Sequence, residues 1–552
     1  MQTPTPLEEL LDLAADVLGH DRRTLPAGAA GSPFITLGGG LGQAMRLQGR
    51  ADELLGLSLD LAQLMGPAPL ADVLARAVPV AAAAYGSPYE PSYEVLPGQL
   101  AALAAQPYTG AGAVHRLLSA ELTGPFDPAA LRTALSALGA RHEGLRTAFA
   151  DAARGPVRRV LEGHTPALIT TAQLPPGGAD PVGAAHARLA AEVERLVGHP
   201  GRPPYVFALT RLGEDRGEDR GEDRHLLSLL CHDAVADAWS AALLWRELLR
   251  DYDRVVRRRP LDRDPAPGPG AVARRADALD RSGRLRELTA ERVPRLRDFP
   301  GAVELAAEPG RRPAVFDFRG ERLLFSPGGE LRDAADAVAA RAGVPHTVVL
   351  LAAWALAVGR RAGRDWLLVG TELPRRPTAE LLGTVAPCAA VVPVGCELEG
   401  GVDYFLRGVA CAFSEGLAYA DLDPGALARE LGMRGDRSRP APAQVGFAAY
   451  DELLPAVVEA GPLRARFHHG HLGGATAEAA LTVLRWRPEP LLALDFAVSV
   501  LGRAEAERLA ADTTAALHAL VTAEPGAAVE ELLPGSADFA APVGVPDGIL
   551  VG

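Results

Sequence analysis

Apolar residues recur along this chain in two rhythms, helical spacing and short continuous runs, and the switches between them mark its elements. Over residues 6–18, Leu7, Leu10, Leu11 and Leu18 share one side of an amphipathic helix. A loop with Pro26, Gly28, Gly31 and Pro33 follows. A glycine turn, Leu37-Gly38-Gly39-Gly40-Leu41-Gly42, then opens a second helix. Two shorter helical stretches, 57–64 and 70–78, complete a small bundle of about four helices within residues 1–80. Beyond a linker at 81–92 the pattern changes. Apolar runs at 117–122, 205–212 and 226–231 read as strands. Asp127 before Pro128 predicts a helix start, an N-cap followed by an N1 proline, with Leu131, Leu135 and Leu138 on the apolar side. Trp239, Leu243, Leu244 and Leu248 return to helical spacing.

The second half repeats the alternation. Residues 259–312 are rich in Pro, Arg and Asp and read as a crossing with one or two helices, one of them at 284–293. Residues 348–358 form a strongly apolar helix with Thr347 as its predicted N-cap. A buried strand is expected at 366–370, a closing pair of strands at 481–486 and 491–500, a final amphipathic helix at 504–521, and a tail over 526–552. The unit Gly-Glu-Asp-Arg occurs three times over 213–224 and has no apolar anchor, so it reads as a solvated extension of a hairpin.

Composition narrows the function classes. The 552 residues are 48% hydrophobic and 23% charged, which is globular, and long enough for several domains with a large core. A formal net charge of −13 argues against generic nucleic-acid binding. No apolar run reaches the roughly 18–20 residues needed to span a bilayer, and the N-terminus lacks a signal-peptide core, so no membrane partner and a cytoplasmic location are expected. Lysine is absent and arginine abundant, so a single arginine carries little functional weight. The cysteines, Cys231, Cys388, Cys396 and Cys411, show no CxxC spacing and read as core residues.

The candidate chemistry sits where a strand meets a helix, in Leu229-Leu230-Cys231-His232-Asp233-Ala234-Val235-Ala236-Asp237-Ala238-Trp239-Ser240. Charged groups at the end of a buried strand form either an active site or a buried ion pair. Alternation along the strand puts Cys231 and His232 on opposite faces, which separates the thiol from the imidazole. His468-His469-Gly470-His471 is a second cluster. With no carboxylate or Cys nearby in sequence it reads as a polar loop rather than a metal site.

Several of these stretches resemble the condensation domain of nonribosomal peptide synthetases. Leu122-Thr123-Gly124-Pro125 matches one of its motifs closely, Arg141-His142-Glu143-Gly144-Leu145-Arg146-Thr147-Ala148-Phe149 matches its RHExLRTxF pattern, and His232–Ser240 falls on its HHxxxDGxS loop. Thr371-Glu372-Leu373-Pro374-Arg375-Arg376-Pro377 resembles its VVVGTPxxxR segment. The resemblance implies an α/β (α+β) fold of two chloramphenicol acetyltransferase-like lobes. The first lobe would span 93–258, the crossing 259–312 and the second lobe 313–525, with a tunnel between the lobes. It implies that His232 is a structural first histidine, that Asp237 pairs with Arg146, and that Ser240 supports the site. The family's second, tunnel-facing histidine is Asp233 here, and its glycine is Ala238. An ordinary carboxylate with a pKa of about 4 is a weak base toward an amine, but it can hold one in place or offset its developing charge.

Residues 1–80 resemble a peptidyl carrier domain, whose LGGDSLxAMRL motif bears phosphopantetheine on its serine. Leu37 to Gly39 and Ala44 to Leu47 match, but Leu41 takes the serine position, so no covalent cofactor is expected. The cofactors implied are the phosphopantetheine arms of partner carriers. The partners implied are peptidyl carrier proteins and other synthetase subunits acting in trans. Three functions stay open: amide formation between a carrier-bound thioester and an amine, a condensation-like scaffold that recruits carriers or tailoring proteins, and a cyclodehydrating relative of the heterocyclization type.

Overall fold

The computed structural model describes residues 5–532 apart from the short stretches 23–24, 27, 81–94, 153–154, 172, 174–179, 199–200, 215–222 and 307–310. The 81–92 linker, most of the GEDR repeat and residues 533–552 therefore lie outside the described residues.

Four helices, α1 (Pro6–Leu18), α2 (Leu41–Leu55), α3 (Leu61–Leu64) and α4 (Leu70–Ala75), make the N-terminal unit. Thr5 and Glu8 cap α1 reciprocally. Gly38, at a φ of 95°, turns the chain toward α2 in a conformation that suits glycine. The short strands β1 (Leu57–Ser58) and β2 (Val78–Pro79) pair antiparallel beside the helices. Leu10, Phe34, Leu47 and Leu64 belong to one apolar cluster with Leu351, Trp354, Phe405 and Leu509 of the second lobe. Polar ties cross the same boundary. Glu452 accepts from the Gly42 N–H at 2.7 Å, Asp52 accepts from the Ala379 N–H at 2.7 Å, and the Ser414 hydroxyl donates to the Ala62 carbonyl at 2.7 Å. The Glu452 carboxylate lies so close to α2 that a Cβ at position 40 would sit 1.6 Å from it, so any side chain there would displace that carboxylate.

The rest of the chain builds two six-stranded sheets. The strands are β3 (His115–Thr123), β6 (Leu168–Thr170), β7 (Tyr205–Glu214) and β8 (Asp223–His232) in the first half, with β4 (Thr147–Ala152) and β5 (Gly155–Val160) as a separate hairpin. The second half supplies β9 (Gly320–Phe325), β10 (Trp366–Leu373), β11 (Ala390–Glu397), β12 (Val445–Ala449), β13 (Val457–Ala460), β14 (Leu463–His469), β15 (Ala479–Arg485) and β16 (Leu491–Ala497). One sheet runs β11-β10-β12-β15-β16-β9, and the other β13-β14-β3-β8-β7-β6. The division at residue 313 is thus crossed. The β13–β14 hairpin leaves the second lobe and lies antiparallel on β3, with Phe467 opposite Ala120. Apolar Leu463, Ala465 and Ala460 fill the first lobe's core, which gives the hairpin a hydrophobic reason to be there.

Helix α5 (Pro97–Thr109) borders the space between the lobes, while α6 (Pro128–Arg141) and α7 (Ala238–Val256) pack on the first sheet through Leu131, Leu135, Leu138, Leu244, Trp245 and Leu248. Asp127 caps α6 as its sequence predicts, accepting from Ala129 and Ala130. The crossing holds two helices, Gly270–Arg281 and Arg284–Leu296.

Two local expectations are corrected. The buried helix of the second lobe is His346–Ala362, one residue ahead of the predicted cap. Thr347 lies inside it, and its buried hydroxyl has no hydrogen-bond partner among the described residues. The tail does not begin at 526. Val529 is fully buried and its N–H donates to Gly400 at 2.9 Å, while the Ala527 carbonyl accepts from Val402 at 3.1 Å. Among the described residues, no single helix is long and apolar enough to cross a membrane.

The shared core predicts that the N-terminal unit and the second lobe melt together. Calorimetry of the full chain is expected to show them in a single transition. Leu47→Ala, which empties a fully buried position, is expected to cost about 2–5 kcal/mol. A separate, earlier transition for the N-terminal unit would contradict this.

Candidate active site

The loop 233–237 is the end of β8 turning into α7, and its two carboxylates both border the space between the lobes but have different partners. Asp237 faces inward. It is the N-cap of α7 and accepts from the Ser240 N–H at 2.8 Å. The same carboxylate receives the Arg376 guanidinium at 2.8 and 2.9 Å, and the N–H groups of Cys388 and Ala389 at 3.0 Å each. Burial alone would raise its pKa, but Arg376 and the Ser240 contacts outweigh that and hold it below the ordinary carboxylate range. Arg376 is itself fully buried and also donates to the Leu381, Thr384 and Ala386 carbonyls and to the Ser240 hydroxyl. Ser240 returns the contact by donating to the Ala386 carbonyl at 3.0 Å. The loop of the first lobe is thereby tied to the second.

The expected partner, Arg146, is elsewhere. Its Nε donates to the Gly139 carbonyl at 3.1 Å, at the end of a short 3-10 turn that directs it back toward α6. The charged residues around it brace the scaffold. Arg141 pairs with Glu247 and Asp251 of α7, His142 meets Glu247 at 2.8 Å, and Glu143 pairs with Arg158 at 2.6 Å. The segment ending in Arg376 carried the signal for the true partner, since it matches a family motif that itself ends in arginine.

Asp233 faces outward, into a cavity of about 840 Å³ between the lobes. It is bound by Arg116 of β3, with Nε to Oδ1 at 2.8 Å. Arg116 also reaches the second lobe, to Glu372 of β10 at 3.5 Å and to the Tyr450 hydroxyl at 3.2 Å, and Tyr450 donates to Glu372 at 2.7 Å. Burial raises the Asp233 pKa. Arg116 opposes that shift and Glu372 adds to it. Sequence reasoning missed Arg116, Glu372 and Tyr450. A charge inside the apolar strand 366–373 was the available signal for Glu372, and a charge just ahead of the run 117–122 was the signal for Arg116.

His232 lies on the other face of β8, against His115 of β3 in a T-shaped contact with ring centroids 4.6 Å apart. Its Nδ1 accepts from the Ala234 N–H at 2.9 Å, so Nε2 carries the proton and donates to Gln106 at 3.1 Å. Burial, with His115 adjacent, pushes its pKa down to about 3, so it is neutral and structural at physiological pH. Cys231 points the opposite way into the first core. Burial, with Asp233 near, pushes its thiol up to about 12, which removes it as a nucleophile.

The three-histidine run is only partly a loop, since Gly470 and His471 follow the end of β14. His468 and His469 end β14, and the carboxylates missing from its sequence neighbourhood come from other strands. His468 meets Glu121 at 3.1 Å, His469 stacks on Tyr450, and His471 contacts the Gly474 carbonyl at 2.9 Å and lies 3.9 Å from Asp495. His469 and His471 line the same cavity as Asp233. Burial pushes His469 down to about 3.

This two-lobed fold has counterparts among known proteins. The condensation-domain profile covers residues 104–444. The chain belongs to the condensation-domain family. Chondramide synthase cmdD of Chondromyces crocatus is 27% identical over 420 residues, 74% of this chain and 10% of that synthase. Phosphinothricin tripeptide synthetase PhsC of Streptomyces viridochromogenes is 31% identical over 307 residues, 54% of this chain and 27% of PhsC. The chain thus spans about a tenth to a quarter of the length of these relatives. Among solved structures, the X-domain from teicoplanin biosynthesis superposes with a TM-score of 0.65 at 22% identity, covering 81% of this chain and 98% of that one. The first condensation domain of the calcium-dependent antibiotic synthetase gives 0.65 at 22%, covering 80% and 98%. At such identities the structures share the condensation fold.

The inner pair yields a pH-dependent prediction. Asp237 is held below its ordinary range, so its stabilisation is complete above a pH of about 4 and is lost as pH falls through its depressed folded value. Asp237→Asn is therefore expected to cost about 3–5 kcal/mol at neutral pH, and progressively less than that in acid, by chemical denaturation. Arg146→Ala, which removes one hydrogen bond to a carbonyl, is expected to cost only about 0.5–1.5 kcal/mol.

Proposed function

We propose that this condensation domain forms an amide, joining an acyl group carried as a thioester on a partner carrier's phosphopantetheine arm to an acceptor amine at Asp233. The observation that carries the reading is the division of labour in the loop. Asp237 is consumed by the buried pair with Arg376, while Asp233 stands at the wall of an 840 Å³ cavity open between two lobes. That space accommodates a thioester arm and an acceptor side by side. Holding the two reactants there converts a bimolecular step into a local one, worth about 7–11 kcal/mol in favourable cases. The raised pKa of Asp233 brings its basicity nearer to that of an amine than an ordinary carboxylate allows.

The N-terminal helices serve this reading as a carrier-like unit that cannot carry. Leu41 has no hydroxyl for a phosphodiester and packs against the core shared with the second lobe. Acyl groups then arrive on other carriers, acting in trans, with other synthetase subunits as their source. A scaffold reading is favoured by one observation, the Asp233–Arg116 pair, which partly neutralises the carboxylate facing the cavity. Among this chain's fold neighbours is the complex of the X-domain and OxyB from teicoplanin biosynthesis.

Intact-protein mass spectrometry of donor and acceptor carriers, with and without the protein, separates these. Transfer of the donor acyl mass to the acceptor arm is the expected result, and a further loss of one water would mark cyclodehydration. No transfer, together with tight binding of a carrier or tailoring protein, would replace amide formation by the scaffold reading. Asp233→Ala is expected to lower transfer about 10²–10⁴-fold. Transfer by the wild type is expected to fall as acid protonates Asp233, starting above the ordinary carboxylate range because its pKa is raised.

A further inference from the structure

The cluster around Asp233 holds more acid than a single guanidinium balances. Asp233 and Glu372 approach Arg116 from opposite lobes, at 2.8 and 3.5 Å, and Tyr450 fixes Glu372 by donating to its Oε2 at 2.7 Å. Two carboxylates and one guanidinium leave one negative charge at the wall of the cavity. Among the described residues, neither Asp233 Oδ2 nor Glu372 Oε1 receives a hydrogen bond, so each carboxylate keeps an oxygen uncommitted. Two of the nearest charged or titratable groups add nothing to the balance, and Arg375 is a further cation on the same wall. Arg322 is paired with Asp495 at 2.6 Å, and His469, pushed down to about 3 by burial, is neutral. Arg375 directs its Nε to the Cys388 carbonyl at 2.8 Å.

We propose that Glu372 is a second acceptor-binding residue, which with Asp233 receives the ammonium group of the acceptor across the lobe interface. This rests on the reading that the cavity takes an amine, and it names the acceptor's class: a primary amine that enters protonated. A primary ammonium has three N–H donors and one positive charge, matching two free carboxylate oxygens and the net negative charge of the Asp233–Glu372–Arg116 cluster. The ammonium first gives one proton to the carboxylate pair, which passes it to solvent. The freed nitrogen lone pair forms the C–N bond to the thioester carbonyl carbon, and the C–S bond breaks. The second N–H proton passes through a carboxylate to the departing sulfur, leaving amide and thiol. Tyr450 and Arg116 are positioning residues that keep the two carboxylates in register.

The test compares two pantetheine probes by calorimetry. One is an amide-linked, non-hydrolysable glycyl analogue with a free amine, and the other is the acetyl analogue that lacks it. The wild type is expected to bind the amine probe roughly 10- to 100-fold more tightly. Glu372→Gln, which keeps the shape and the Tyr450 contact, is expected to lose most of that preference, and Glu372→Asp to restore part of it. A wild type with no preference, or an unchanged preference in Glu372→Gln, overturns the proposal. If Glu372→Gln does not fold, the wild-type preference measured against pH decides. Its loss in acid supports the carboxylate pair, and a pH-independent preference overturns it. The carrier assay keeps the two claims apart. A Glu372-dependent preference without acyl transfer removes amide formation alone, while transfer with a preference that ignores Glu372 removes this inference alone.

Discussion

One buried ion pair sets the geometry on which the rest of the site depends. Asp237 and Arg376 come from different lobes, are both shielded from water, and share their hydrogen bonds with Ser240, Cys388 and Ala389. A charge removed from water at such cost persists only when its partner and its hydrogen bonds are all in place. The pair therefore fixes the start of α7, the segment 384–389 and the separation of the lobes together. Asp233, four residues before Asp237, is placed by that constraint and left to face the cavity.

A second cross-lobe device supports the first. The β13–β14 hairpin leaves the second lobe to complete the first lobe's sheet, and it delivers His469 beside Tyr450. The cavity is consequently walled by strands of both sheets, β3, β10, β12 and the end of β14, and its polar groups form a continuous seam. Arg116 belongs to that seam and links loop to opposite lobe on the open side, as Arg376 does on the buried side. The inner link has a structural task. The outer link leaves two carboxylate oxygens unengaged, and there chemistry can occur.

Much of the fold was legible in the sequence because its signals are local. The N-cap and N1 proline at Asp127 and Pro128, the apolar strand ahead of His232 and the helix after Asp237 all form where the pattern places them. The errors concern partners distant in sequence. The pairing of Asp237 with Arg146 rather than Arg376 followed from reading one motif without asking which lobe its arginine faces. The strand exchange was invisible because residues 457–469 show a pattern no different from a strand that stays in its own sheet. Glu121 and Asp495, the carboxylates beside His468 and His471, lie more than twenty residues away along the chain. Thr347 resembled a cap, but Pro345 takes that position and the helix starts at His346.

If Asp237 and Arg376 lock the lobes together, a double-mutant cycle on that pair will show it. Asp237→Asn, Arg376→Met and the combination would be compared by chemical denaturation at neutral pH. A coupling energy of about 2–3 kcal/mol is expected, with the double variant less destabilised than the two single effects combined. Additive effects, within about 0.5 kcal/mol, would show that the pair does not hold the lobes together.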